Sequence, residues 1–494
     1  MALPFWYKEQ RNILGNGYCP ELDLTNPPEI ITTLQKASGV SNKGGISSGV
    51  VSPDGKYLYI NSTGGIISKI DLTTYQIIWE NNYYAVNNSM TSKMGGEMVV
   101  DDTETIYAGY RRREYYNGSS WEYQAGKIVA INPDGSVKWE FYGEKSSTEE
   151  FGYSVYIASD GDILGFSSDA LYKINKITGQ KVWRLDGVSC GGPQALVLVN
   201  GKIYLRSTGN NLIEVDEQNG SITNQITLTQ CSNIFSVCSD GYNVFISGRG
   251  PGGTGGYLGR VELATWNLKW EAVLSGNYTY HLAVWPDGGY VYAIQPSDNN
   301  VVITPIDSLQ IKTFTATNRV WTGGLLDKNG NILINSIDGK LYAITKDATK
   351  LWEIPFSNDI NSYYFTVTTM GYLIFQTYTG VVYIYQAELF IQPNLTLIDP
   401  LTSIQYTWQD FIFICDTQGK QLGVKFKITT ADQNGIPIFE AQSDLQPQYF
   451  WQSKNGIKWE QFIGGKMQLP DYTYLKVRAY TGGQSQVRVV IAYE

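Results

Sequence analysis

The chain has 494 residues and a formal net charge of -9, with 17% charged, 43% hydrophobic and 13% aromatic residues, including 36 Tyr and 13 Trp beside 51 Gly. Disordered chains lack such aromatics and carry more charge, and coiled coils are built on Ala, Glu, Lys and Leu, so both are excluded in favour of an all-β chain with many tight turns. The acidic excess argues against nucleic acid as a partner, and the single histidine, His281, rules out multi-histidine metal sites and any histidine triad that does not use it.

Residues 1–28 read as an N-terminal extension. They carry Phe5, Trp6 and Tyr7, and Lys8, Glu9 and Arg11 interrupt any apolar stretch of signal-peptide length. An aromatic tail outside the repeats is expected to dock on a neighbouring molecule or on the second domain. No run of 18 apolar residues occurs, so no membrane span is expected.

From residue 65 one phrase recurs: GIISKIDLTTYQIIW, KIVAINPDGSVKW, ALYKINKITGQKVW and KLYAITKDATKLW, with weaker copies at 211–224, 257–270 and 301–314. The copies close on Trp79, Trp139, Trp183, Asn224, Trp270, Phe314 and Trp352, at intervals of 60, 44, 41, 46, 44 and 38 residues. A period near 40 that tolerates insertions belongs to a propeller or an array. Each copy alternates with period two, and a second hairpin lies upstream. Its turns are SPDGK, ASDGD, SDGY, WPDGG and DKNGN. Asp-Gly and Asn-Gly between apolar runs are hairpin signals, so each repeat supplies four antiparallel strands, which make one blade. Trp79, Trp139, Trp183, Trp270 and Trp352 are assigned to packing between neighbouring blades. The eighth copy, 363–386, supplies three strands and stops, leaving an open edge. Residues 29–37 are β-rich and are expected to add its fourth strand. The expected architecture is all-β: an eight-bladed β-propeller over 29–390, then a β-sandwich over 391–494.

The interval of 60 locates an insertion in blade two, a long hairpin turning at Asn117-Gly118. It carries Arg111, Arg112, Arg113, Tyr115, Tyr116, Trp121 and Tyr123, residue types that concentrate in interface hot spots. In the C-terminal unit Trp451 and Trp459 are further interface candidates. Residues 248–253 fit GxGxxG by letter, but the next segment, TGGYLGRVEL, reads as a strand rather than the helix that nucleotide binding needs. The sequence DKNGN at 327–331 resembles a calcium loop yet lacks the glutamate at position twelve. It is assigned, with Asp54, Asp160 and Asp240, to hairpin turns. Five cysteines, Cys19, Cys190, Cys231, Cys238 and Cys415, show no CxxC spacing and read as buried thiols, with one disulfide between blades left open.

The repeat, a strand Leu-Tyr-Ala-Ile, a turn and a strand ending in Trp, resembles the PQQ-like repeat over residues 44–386. That repeat builds the eight-bladed propellers of quinoprotein dehydrogenases and of an outer-membrane assembly lipoprotein. In the dehydrogenases a Trp and a disulfide of adjacent cysteines enclose the quinone beside calcium and a catalytic Asp. This chain has no adjacent cysteines, so no residue is carried over, and no cofactor, metal or catalytic residue is assigned. The stretch 453–462 loosely resembles hairpins of sandwich modules in adhesins and viral tail proteins.

The resulting expectation is a non-enzymatic structural or adhesive protein of a larger assembly, either a virion component such as a tail or head-attached protein or an extracellular filament subunit. Its partners would be itself or other structural proteins. Two alternatives stand beside it: a carbohydrate-binding surface adhesin with surface glycans as partner, and a quinoprotein-type dehydrogenase. An extracellular or virion location goes with the main expectation, with no signal peptide visible.

Overall fold

A computed structural model gives the architecture. It describes Cys19, residues 22–35 and, between 46 and 386, the blade strands and most of their turns. Beyond 386 it describes strand backbone only, and residues 1–18, 36–45, 84–94, 145–150 and several shorter stretches lie outside the described residues. The chain divides into two compact units, 1–388 and 389–494.

The first unit holds eight four-stranded antiparallel sheets. Blade two shows why these sequences become blades. Its third strand, Lys127–Ile131, is buried at every position, whereas its fourth, Val137–Tyr142, buries Trp139 and Phe141 and exposes the residues between. An inner strand has a neighbouring blade on both faces and so reads as an apolar run. An outer strand has less cover and alternates. In six of the eight neighbouring pairs the first strands lie side by side, that of blade one, Ile46–Val51, against that of blade eight, Ser362–Val367, and blades three and four, and seven and eight, share buried cores. The ring is closed. The fourth strand of blade eight is Glu29–Gln35, antiparallel to Val381–Gln386.

The turns obey local chemistry. In blade four the first hairpin turns on Asn200 and Gly201, with φ of 50° and 73°, the left-handed pair that a two-residue type I′ turn requires. This Asn-Gly is one more hairpin signal of the kind seen at the other turns. Where the third strand meets the fourth, the register slips at one position in blades one to five and seven, beside Lys69, Ala130, Lys173, Glu214, Arg260 and Ala343. Each of these residues faces the one that closes the repeat. A bulge re-aims the side chain next to it, here toward the following blade.

What the tryptophans meet there is a carbonyl. Trp79 Nε1 donates to Pro133 O at 3.0 Å, Trp139 to Lys176 O at 2.9 Å, Trp183 to Glu217 O at 3.0 Å and Trp270 to Ile306 O at 2.7 Å. All four acceptors lie in or beside the third-to-fourth-strand turn of the next blade. In three blades a buried or half-buried cation facing the Trp reaches the same oxygen: Lys69 to Pro133 O at 3.4 Å, Lys173 to Glu217 O at 3.2 Å and Arg260 to Ile306 O at 2.7 Å. Carbonyls carry two lone pairs, so indole and cation satisfy one acceptor together. The sequence predicts packing alone for these tryptophans; they also bond the blades to one another.

The N-terminal extension does not end at the closing strand. Cys19, Leu22 and Leu24 are fully buried in the core between blades seven and eight, with Leu333, Leu341 and Phe375. Cys19 N donates to Leu326 O at 2.7 Å, Leu24 N to Asp327 Oδ2 at 2.8 Å, and Trp352 Nε1 to Leu24 O at 2.7 Å. Lys328 Nζ pairs with Asp23 at 2.9 Å. Thus Trp352 repeats the bond of its counterparts with an acceptor 328 residues away in sequence. Cys19 and residues 22–24 dock on their own propeller, while Phe5, Trp6 and Tyr7 lie outside the described residues. Asp327 holds its hairpin turn through Asn329 N and Asn331 N, as the sequence predicts, and also anchors the N-terminal segment.

In the second unit, Asn394–Ile398, Gln486–Val490, Lys427–Ala431 and Pro437–Gln442 form one four-stranded sheet. Trp408–Ile414, Tyr474–Tyr480, Phe450–Ser453 and Glu460–Gln461 form another. How the two sheets pack lies outside the described residues.

Candidate interaction surface

Most charged side chains around the described ring are engaged in local bonds. Lys173, almost wholly buried, pairs with Asp160 at 2.5 Å. Glu217 accepts both the backbone N–H and the hydroxyl of Ser159. Asp101 accepts Thr103 N, Thr105 N and the Tyr107 hydroxyl. Burial and the adjacent Asp101 carboxylate push the Tyr107 hydroxyl far above its ordinary pKa, so it stays a donor.

The surface left for other molecules is best defined at the outer strands, one per blade, each with one edge unpaired. All eight expose a branched apolar side chain in or next to the strand. Ile78, Val137, Val182, Ile222, Val273, Ile311, Leu351 and Ile30 supply them in ring order. In blades one to three and five to seven the strand also carries charge: Glu80, Lys138 and Glu140, Lys181 and Arg184, Lys269 and Glu271, Lys312, Lys350 and Glu353. Charge on an edge strand is how proteins stop edges from pairing. Blade four departs from this. Its outer strand, Ile222–Thr227, reads ITNQIT, is exposed at every position but Ile226 and holds no charge. Blade eight is close to it, for Glu29–Gln35 reads EIITTLQ with charge only at the first residue, and Ile30 and Ile31 are 54% and 40% exposed. Ile31 is the extra residue of a register slip between Ile30 and Thr32, so the two exposed isoleucines sit at an irregular point of the strand. In a ring of eight, blades four and eight are opposite each other.

The interface candidates named from the sequence divide between strand and undescribed loop. Arg113, Tyr115 and Tyr116 lie on a strand, Arg113–Tyr116, that pairs with Trp121–Gln124 and sets Tyr116 opposite Trp121 and Glu122 opposite Tyr115. The hairpin in blade two therefore exists, placed between that blade's second and third strands. Its turn, 117–120, lies outside the described residues, as do Arg111, Arg112 and Trp459. Trp451 lies on Phe450–Ser453 opposite Lys476. The glycine-rich stretch 248–253 runs from the second strand of blade five through a short 3-10 turn, Pro251–Gly253, into the strand Gly256–Glu262. Cys19, Cys231 and Cys238 are buried thiols, the latter two pushed up in pKa by desolvation. Sequence reasoning misses these charge-poor outer strands, although EIITTLQ and ITNQIT can be told from KVWRLD by inspection.

The fold and its interblade bonding define an eight-bladed, all-β propeller protein. The sequence model of the family described as outer membrane protein assembly factor BamB matches residues 31–186 and again 123–308. These spans cover more than half of the chain, and the chain belongs to this family of PQQ-like-repeat propellers. Among solved structures, BamB from Moraxella catarrhalis superposes with a TM-score of 0.54 at 13% identity, over 73% of this chain and 100% of its own. The computationally designed Ika8 protein gives 0.54 at 12%, over 73% and 100%. The Dos1 propeller gives 0.56 at 10%, over 73% and 95%. At such identities the likeness is one of fold. No curated protein matches the chain.

Proposed function

We propose that the protein is a non-enzymatic structural component of a larger assembly, joined to its neighbours through the outer strands of blades four and eight. The observation that carries this proposal is that the outer strand of blade four holds no charge and that of blade eight holds none after Glu29, while five of the other six outer strands carry charge within the strand, past its first residue. An uncharged, exposed edge is a template for another strand, and natural proteins retain one where pairing is wanted. Two such edges at opposite poles of a ring would let each copy meet two others, a head-to-tail construction that extends rather than closes. A filament or a part of a virion is built in this way, and those are the settings proposed.

The test is particle size. Light scattering on the full chain is expected to show species larger than the 55.2 kDa monomer. Ile222→Lys with Gln225→Lys, or Ile31→Lys alone, should leave the melting temperature unchanged and reduce the particles to smaller species. A native protein that is monomeric at high concentration would refute the proposal.

A further inference from the structure

Where the first strands of blades five and six begin, the ring carries an aromatic cluster that edge-to-edge assembly does not use. The segment 276–280, leading into blade six, is strapped across blade five by Thr279. Its N–H donates to Gly248 O at 3.0 Å, and its hydroxyl accepts Gly248 N at 3.0 Å and Tyr257 N at 3.3 Å while donating to Tyr257 O at 2.5 Å. With Thr279 turned inward, Tyr278 and Tyr280 take the other side. They meet Phe235, from the first strand of blade five, at ring-centroid distances of 5.4 and 5.6 Å, and each other at 6.0 Å. Two of these three contacts are edge-to-face.

Arg249 ends the second strand of blade five and is exposed. Its guanidinium lies over the rings of Phe235, at 5.6 Å, and Tyr278, at 5.3 Å. Among the described residues the group has no hydrogen-bond or ion-pair acceptor. A guanidinium stacked on rings keeps its N–H donors in a fixed fork, and that fork fits a carboxylate.

We propose that Arg249 and the rings beneath it dock an acidic, aromatic-bearing segment of another polypeptide. Three features favour this ligand. The ring faces of Phe235 and Tyr278 are already covered by the guanidinium and by each other, so they offer no open platform to a sugar; what they offer is the fork and their half-exposed edges. Arg and Tyr side by side are the residue types on which protein interfaces concentrate their affinity. The Thr279 strap holds the cluster in place beforehand, so binding orders little of this chain. The carboxylate that the strap does engage, Asp298 of blade six, accepts the backbone N–H of Asn277 at 2.6 Å and its side-chain amide at 3.0 Å rather than Arg249.

The experiment uses the full chain and a fluorescein-labelled hexapeptide alternating aspartate with phenylalanine, read by fluorescence anisotropy. Saturable binding is expected, at least tenfold weaker for Arg249→Gln and for the same peptide with asparagine in place of aspartate. Arg249→Lys, a point charge without the fork, should not restore it. Glucuronate and inorganic phosphate at millimolar concentration should fail to displace the peptide. The proposal is overturned by absence of binding up to millimolar peptide, by an Arg249→Gln or Arg249→Lys protein that binds like the native one, by equal binding of the asparagine peptide, or by displacement with either small anion. Melting temperature controls for folding, which Arg249→Gln should leave alone because the residue is exposed.

Discussion

Tyr204 and Trp266 meet ring to ring at 5.9 Å, tilted by 31°, across two blades, and this pair restores a contact that blade four has lost. In blades one, two and five the second-strand aromatic meets the blade's own closing Trp: Tyr59 with Trp79 at 6.3 Å, Tyr107 with Trp139 at 5.7 Å and Phe245 with Trp270 at 6.4 Å. Blade four closes on Asn224 instead. Trp266 comes from the turn of blade five, four residues before Trp270, at φ 53°. The same turn position in blades two, three and four is Gly135, Gly179 and Gly220, all at positive φ, and a Cβ there would lie 2.7 to 3.1 Å from the Trp ring of the preceding blade. Behind Trp79, Trp139 and Trp183 the next blade thus places a glycine, and behind the smaller Asn224 it admits a tryptophan.

That reciprocity predicts coupled substitutions. Trp266→Gly should cost about 3 kcal/mol, reduced by release of the left-handed backbone. Asn224→Trp alone should also destabilise, since the space is filled. Together the two rebuild the arrangement of blade three, so the double variant should be more stable than the sum of the single changes by about 1 kcal/mol or more. Urea unfolding of the four proteins measures it; strict additivity would mean that the two side chains do not share one site.

A second prediction separates backbone strain from collision. Gly187 and Gly179 both hold left-handed φ, 75° and 69°, but a Cβ on Gly187 meets nothing within 4 Å while one on Gly179 meets the Trp139 ring at 2.7 Å. Gly187→Ala should cost about 1 kcal/mol, the strain alone. Gly179→Ala should cost clearly more, with the Trp139 fluorescence shifted as the indole moves.

The Lys173–Asp160 pair should respond unequally to removal of either partner. Lys173 is 2% exposed and Asp160 37%. Asp160→Ala strands a buried ammonium and should cost about 3 kcal/mol, whereas Lys173→Met replaces it with an apolar chain of similar length and should cost about 1 kcal/mol or less. Glu217 O keeps its bond from Trp183 in the second variant. Equal losses would show that the ammonium is not the costly member.

The N-terminal clasp carries a pH signature. Burial raises the Asp23 carboxyl, but its bonds to Thr25 and Lys328 outweigh that and hold it below the ordinary 3.8. An acid lowered in the folded state contributes stability that is complete above its unfolded value and lost as pH falls through the folded one. Asp327 is pushed the other way by burial, so its own effect runs opposite and must be held constant. The loss of melting temperature between native and Asp23→Asn protein should therefore be constant above about pH 5 and shrink below pH 4. A difference independent of pH down to 3 would remove Asp23 from the clasp.

The blade pattern was legible because it is local: Lys340-Leu-Tyr-Ala-Ile344 alternates, Asp-Gly and Asn-Gly turn, and Trp recurs. The closing strand could be read because blade eight lacked one. The features that stayed hidden depend on partners far apart in sequence. Nothing near Leu24 reveals that its carbonyl answers Trp352, and Trp266 looks like an ordinary repeat residue until Asn224 is seen beside it in space. The aromatic set Phe235, Tyr278 and Tyr280 is dispersed over 45 residues and carries no motif.

Closure by the N-terminus also sets the order of events on the ribosome. The strand Glu29–Gln35 emerges early, yet Val381–Gln386, the strand it pairs with, is made about 350 residues later. At roughly 5–20 residues per second the interval is on the order of tens of seconds, far longer than a blade hairpin takes to form. Throughout it the closing strand has no native partner, and for most of it neither do Leu22 and Leu24, so the nascent chain is a natural client for holding chaperones until the last blade arrives.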